Sequence, residues 1–252
     1  MARDEQDSRI ARALREGPAA TPFVELPGGT FLMGSDSRSD ELPVRRVALK
    51  PFAVALVPVT NADYARFLAA TAYEPPGFWG DERFTQSSSP VVGVSWFDAV
   101  AYCEWLSNVL DRTCRLPTEA EREYATRGGA AGVRYPWGDE PWSEGVHAHG
   151  PAGGDRPHPV GSSPPNGYGI YHLADNVHEW CSDWYARYEA PDPSEEGAVA
   201  VDPRGPEEGT RRASRGGSWR HGVKVSRIAA RSSLPPDYRY NDYGMRVYAE
   251  AR

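Results

Sequence analysis

The sequence predicts one mixed helix-and-strand domain in which long ordered loops outweigh regular structure. Three helices are announced by side-chain caps, short apolar runs flank Gly- and Pro-rich turns, and no linker divides the 252 residues. Proline and glycine together number 48, about a fifth of the chain, while Trp and Tyr number 21. Aromatic residues at that density point to a packed core rather than disorder, and the length suffices to bury one.

Met1–Ala20 carries Arg3, Asp4, Glu5, Asp7, Arg9, Arg12, Arg15 and Glu16 and no apolar run. Ile10–Glu16 reads as a short polar helix, so residues 1–20 are expected to be an arm outside the core and residues 21–252 the domain proper. Nothing in the chain has the apolar length of a signal peptide core or a membrane span, and a cytoplasmic location is the expectation. Phe23–Leu26 and Thr30–Met33 are strand-like runs around the turn Pro27-Gly28-Gly29, and Val44–Leu49 is a third. Asp36–Glu41 reads as a polar loop.

The helices follow. Thr60 with Asp63 precedes Tyr64, Phe67 and Leu68, and Ser95 with Asp98 precedes Ala99, Tyr102, Cys103 and Leu106. Thr118 with Glu121 opens a third helix that Gly128-Gly129 ends. Each cap accepts from backbone N–H groups that lack a helical partner, contributing about 1 kcal/mol. Glu119 and Glu121 suit the positive end of their helix and need no acid–base role. Cys103 falls on an apolar face and reads as a small core residue.

Beyond Gly128 periodicity fades for about 120 residues, an unusual length for an ordinary domain. Tyr135–Asp139, Ser163–Gly169 and Pro191–Gly209 look like loops around scattered aromatics. Something other than secondary structure must order this half, and a bound cation is the first expectation. Between Arg211 and Arg246 nine Lys/Arg face two acids, a local balance of +7, whereas the whole chain is −7. Two readings stay open: a surface for an anionic or polar ligand, or arginines that brace loops and buried carboxylates through their forked donors.

The net acidity and the lack of a basic amphipathic helix argue against nucleic-acid or membrane partners. There is no Walker loop, GxGxxG, HExxH or GxSxG. Three cysteines (Cys103, Cys114, Cys181) without CxxC or CxxH spacing suggest neither a disulfide framework nor a zinc site.

A run of phrases in order gives a resemblance. GGTFLMGS at 28–35, VPVTNADYARFL at 57–68, VVGVSWFDAVAYCEWL at 91–106 and RLPTEAEREYATRGG at 115–129 come first. YPWGDE at 135–140, PVGSSPPNGYGIY at 159–171, NVHEW at 176–180 and RGGSW at 215–219 follow. Together they resemble the formylglycine-generating enzyme (sulfatase-modifying factor) family across about residues 21–249. The resemblance implies that family's fold: a single compact α+β domain, C-type-lectin-like and poor in regular structure.

It also implies copper chemistry that converts a sulfatase cysteine to formylglycine, through a C-x4-C pair after the RGGS element, since thiolates select Cu(I). Here Ser218-Trp219 is followed by Arg220-His221-Gly222-Val223-Lys224 with no cysteine, so sulfatase oxidation is not expected and copper or iron is not the expected cofactor. His221 falls about where the first cysteine would align. Ser218 and Trp180 match positions that line the family's pocket, and His178 stands where members usually have Trp, reading as a local substitution. His147, His149 and His158 read as solvated loop histidines.

The family's calcium site implies Ca²⁺ here on Asn176 and Glu179 with carbonyls of Asp175 and Val177, oxygen donors suited to a hard cation. Of a second family calcium site only Asp155 remains. The function expected is therefore a calcium-stabilised binding domain presenting Arg220, His221, Lys224, Tyr238, Arg239, Tyr240, Asp242 and Tyr243 to a protein or polar ligand. A special form is the variable protein of a diversity-generating retroelement. The alternative is a metal-dependent oxidoreductase of the same family acting on a peptide or small molecule.

Overall fold

The first strand, β1 (Phe23–Leu26), and the last, β11 (Tyr248–Glu250), lie in one sheet, which ties the ends of the domain together. A computed structural model describes residues 3–140, 154–189 and 197–252. His147 and His149, and part of the loop expected over 191–209, lie outside the described residues.

The order is α1 (Arg3–Glu16), β1, β2 (Gly29–Met33), β3 (Arg45–Leu49), β4 (Phe52–Ala55), α2 (Asn61–Thr71) and α3 (Trp96–Leu110). Then come β5 (Cys114–Arg115), α4 (Glu119–Arg127), β6 (His178–Trp184), β7 (Val199–Val201) and β8 (Arg212–Arg215), followed by β9 (Arg231–Leu234), β10 (Tyr243–Gly244) and β11. Among the described residues three sheets result, ordered β1-β4-β11-β5, β10-β6-β8-β9 and β2-β3-β7, making a single α+β domain as expected.

The capped helices form where the caps place them. Thr60 accepts from the Asp63 N–H, while Ser95 with Asp98 and Thr118 with Glu121 form complete capping boxes. Gly128 closes α4 in the left-handed region at φ 62°, a conformation that costs glycine little. Tyr64, Phe67, Tyr102, Cys103 and Leu106 bring α2 and α3 into one buried cluster with Met245 and Val247. A second cluster joins β2, β3 and β4 to Ala120, Tyr124 and Tyr248.

The N-terminal segment departs from expectation. It is a longer helix than Ile10–Glu16, and it lies against the domain rather than outside it. Gln6, Ile10 and Ala13 are buried, spaced i, i+4, i+7 on one face. Ile10 packs with Val57, Val160 and Tyr171, and the Tyr171 hydroxyl donates to Asp7 at 3.0 Å. A polar composition hid a narrow apolar stripe. Ile10→Ala should cost about 2 kcal/mol of stability in denaturant unfolding, whereas a free arm would leave stability unchanged.

The periodicity-poor half is ordered by buried ion pairs. Glu119, Arg122 and Glu123 share one face of α4 at i, i+3, i+4 spacing and are all buried. Arg122 Nε donates to Glu179 at 2.8 Å, and Arg246 Nη2 reaches the same carboxylate at 2.8 Å. Arg231 donates twice to Glu119, at 2.6 and 2.7 Å, and Arg215 joins at 3.1 Å. Arg215 also pairs with Glu123 at 2.9 Å. Arg227 clamps Glu41 at 2.6 and 2.7 Å, so the segment read as a polar loop ends in a buried anchor. Glu119 therefore does more than favour a helix terminus. Most of the local +7 points inward: Arg215, Arg227, Arg231 and Arg246 are buried, and Arg212 is sandwiched between Trp96 and Trp184. Among the described residues no helix is long and apolar enough to cross a membrane.

Candidate functional site

Two glycines at the end of β8 let three segments meet. Gly216 has φ 88°, and a Cβ there would lie 2.9 Å from the Leu173 carbonyl; on Gly217 it would meet the Ala174 carbonyl at 2.5 Å. Only residues without side chains allow so close an approach. The chain continues into Ser218, which bridges Asn176 in parallel, and the Trp219 N–H donates to the Asn176 carbonyl at 2.9 Å. His221 N–H turns back to the Ser218 carbonyl at 3.1 Å. On the other side β6 pairs in parallel with β10, and His178 N–H donates to the Asp242 carbonyl at 2.8 Å.

This frame gathers His178, Ser218, His221 and Asp242. His178 Nε2 faces His221 Nδ1 at 2.9 Å. Ser218 Oγ lies 3.0 Å from His221 Nδ1 and donates to Asp242 Oδ2 at 3.1 Å. His221 Nδ1 is 3.6 Å from the same carboxylate oxygen. His178 and Asp242 are buried, while the His221 side chain is 40% exposed and opens the cluster on one side. Burial lowers the His178 pKa to about 4; Asp242 opposes that shift and His221 adds to it. His178 Nδ1 makes no hydrogen bond of ordinary geometry.

Sequence reasoning placed Ser218 and His221 at this pocket, expected Asp242 on the ligand surface, and read His178 as a local substitution. A signal was present: two positions depart from the family pattern, one from Trp and one from Cys, and both become histidine. Trp180, expected to line the pocket, lies beneath it. It is fully buried, donates to the Val94 carbonyl at 2.9 Å and supports Tyr243 at a 5.1 Å ring separation.

The residues expected to form a ligand surface divide in two. Arg220, Lys224, Tyr238 and Tyr240 are exposed. Arg239 instead grips Asp98, the α3 capping residue, with two bonds of 2.9 Å. Tyr243 is buried, with its hydroxyl at Ser214 and Ser232, and Asp242 belongs to the cluster. Rings run from the surface inward: Tyr238 to Tyr240 at 6.0 Å, Tyr240 to Tyr243 at 6.2 Å and Tyr243 to His178 at 4.9 Å.

The Asp175–Glu179 loop does not fit calcium. Both Glu179 oxygens are held by Arg122 and Arg246, whose two positive charges would repel a dication. Burial opposes ionisation of Glu179, and the two guanidiniums outweigh it, leaving its pKa below the ordinary value. Asn176 spends its side-chain amide on the His158 backbone, accepting and donating at 3.0 Å. Asp175 accepts from Ser163 at 2.6 Å and faces His172 at 3.1 Å. Val177 packs its side chain against Phe84, Val92 and Trp219. Asp155 lies on the surface, paired with Arg156 at 2.8 Å. Guanidinium groups hold Glu179, one of the side chains expected to bind the cation.

No cysteine reaches the cluster, because Cys103, Cys114 and Cys181 are all buried elsewhere, and burial pushes each thiol pKa up.

Residues 11–251 match the family described as the sulfatase-modifying factor enzyme 1-like domain. The chain is 35% identical to the formylglycine-generating enzyme of Thermomonospora curvata over 294 residues, covering 92% of this chain and 94% of that one. Among solved structures, variable protein 1 of Treponema denticola superposes with a TM-score of 0.76 at 25% identity, covering 91% and 95%. PvdO from Pseudomonas aeruginosa also gives 0.76, at 31% identity and 91% and 94% coverage.

Proposed function

The chain belongs to the sulfatase-modifying factor enzyme 1-like family, and we propose that it acts there as a binding domain rather than a sulfatase oxidase. One observation carries the reading. The C-terminal segment is fastened from within by Arg227, Arg231, Arg239 and Tyr243, yet it holds Arg220, Lys224, Tyr238 and Tyr240 in solvent. Tyrosine and arginine on a fixed backbone give large contact area at low entropic cost, the composition of adaptable recognition surfaces. The ligand class that fits is a protein or polar ligand able to stack on Tyr238 and Tyr240 and accept from Arg220. The similarity to Treponema denticola variable protein 1 supports a variable-protein form of this reading. Three free, buried cysteines suit a reducing compartment, and a cytoplasmic location is part of the proposal.

A photo-crosslinking residue placed at position 238 or 240 in cells tests the reading. Adducts to one partner should exceed those from the same residue at Val109, an exposed position on α3. Binding of that partner should weaken about tenfold or more in Tyr240→Ala, with thermal stability unchanged. Equal labelling at all three positions would overturn it. A second reading, a metal-dependent oxidoreductase acting on a peptide or small molecule, is favoured by one observation, the second imidazole that His178 brings to His221.

A further inference from the structure

We propose that His178, His221 and Asp242 form a binding site for a divalent transition-metal ion, with the Ser218 hydroxyl beside it. The inference does not rest on the surface reading; Tyr238 and Tyr240 could bind nothing and the ion would still be held.

Geometry carries it first. One ligand atom from each of the three residues lies within 4.8 Å of the others. Two donors on one ion at ~2.0–2.1 Å, spread between a right angle and a tetrahedral one, stand about 2.8–3.4 Å apart. The cluster shows 2.9 Å for His178 Nε2 to His221 Nδ1 and 3.6 Å for His221 Nδ1 to Asp242 Oδ2. The first already lies in that range, and a shift of a few tenths of an ångström brings in the second.

The donors select the class of ion. Two imidazole nitrogens and one carboxylate suit borderline ions such as Fe(II), Co(II) or Zn(II), and leave positions open. Cu(I) would want thiolates, and calcium needs six or more oxygens. Two basic nitrogens facing each other can share only one proton, and an ion in that place satisfies both lone pairs at once.

Position and access agree. His178 and Asp242 are locked by the β6–β10 backbone rung, and Ser218 and His221 by the turn that follows Gly217. Ligands held by rigid elements need little rearrangement to take up an ion. The exposed edge of His221 leaves one side free for water or a small ligand. Arg220 stands at that edge, with Nη1 3.9 Å from Asp242 Oδ1 and bonded to Asn241 at 3.0 Å. Its charge opposes a dication modestly, because the side chain is exposed and screened.

The test strips the full chain with a chelator and titrates it with Co(II), followed by visible absorption, and with Zn(II) by calorimetry. We expect one ion per chain and a weakening of about 100-fold or more in both His221→Ala and Asp242→Asn, with metal-free melting temperatures near that of the parent. Lys224→Ala and Tyr240→Ala should leave the affinity unchanged. No saturable binding, binding that survives both ligand substitutions, or Ca²⁺ held as tightly as Zn(II) would overturn the proposal. Should His221→Ala melt early, His221→Gln keeps a closer volume without the imidazole and answers the same question.

Discussion

Glu179→Ala is expected to be the most damaging single substitution in this chain, abolishing folding or lowering stability by about 3–5 kcal/mol. The carboxylate is fully buried and accepts from Arg122 and Arg246, themselves fully buried. Removing it leaves two guanidiniums without a counter-charge where water cannot reach. A loss of that size is a large share of the 5–15 kcal/mol that a domain commonly has. The partners come from α4, from the start of β6 and from the segment before β11, so the loss would loosen all three. Circular dichroism and denaturant unfolding measure it; a variant as stable as the parent would refute the role given to this carboxylate.

Acid unfolding is the second large effect. Burial alone would raise the pKa of Glu119, but Arg215 and Arg231 outweigh it and hold it below the ordinary value of 4.5. Glu179 is held low in the same way. The unfolded chain therefore takes up protons first. Stability from these groups is complete above their unfolded values and is lost as pH falls through the lower folded values. Asp183 acts in the opposite sense. Burial first, then the charge of Glu119, pushes it up to about 7 from an ordinary 3.8. Its contribution is present at low pH and lost as pH rises through about 7. Stability should thus peak in mildly acidic solution. In denaturant titrations across that range, Glu119→Gln should flatten the acid limb and Asp183→Asn the limb near neutrality. A parent chain with no acid limb would contradict the pairing.

What the sequence disclosed and what it hid follow from chain separation. The caps at Thr60, Ser95 and Thr118 act on the backbone three residues ahead, so spacing alone reveals them. The β1 strand, Phe23–Leu26, was readable from its flanking turn in the same way. Arg122 and Glu179 are 57 residues apart, and Arg227 and Glu41 are 186 apart. A sequence shows that charges of both signs are present, not which of them meet. The arginines before Val247 could therefore be read as a surface or as internal braces, and the structure assigns most of them inside. The site was legible in half. Ser218 and His221 were named from their place in the family pattern, and Asp242 from the composition of the C-terminal segment. His178, 43 residues from His221, became meaningful only when parallel pairing of β6 with β10 set it opposite the RGGSW turn.

If buried guanidinium–carboxylate pairs, not a calcium ion at the Asp175–Glu179 loop, order the C-terminal half, its stability should depend on Glu179 and not on Ca²⁺. Thermal unfolding of the parent and of the milder Glu179→Gln variant tests it most directly, each after chelation and again in saturating Ca²⁺. Glu179→Gln should lower the melting temperature strongly, by the same amount with and without the ion. A variant that melts with the parent after chelation, and falls behind it only when Ca²⁺ is added, would mean that the ion and not the ion pair orders this half.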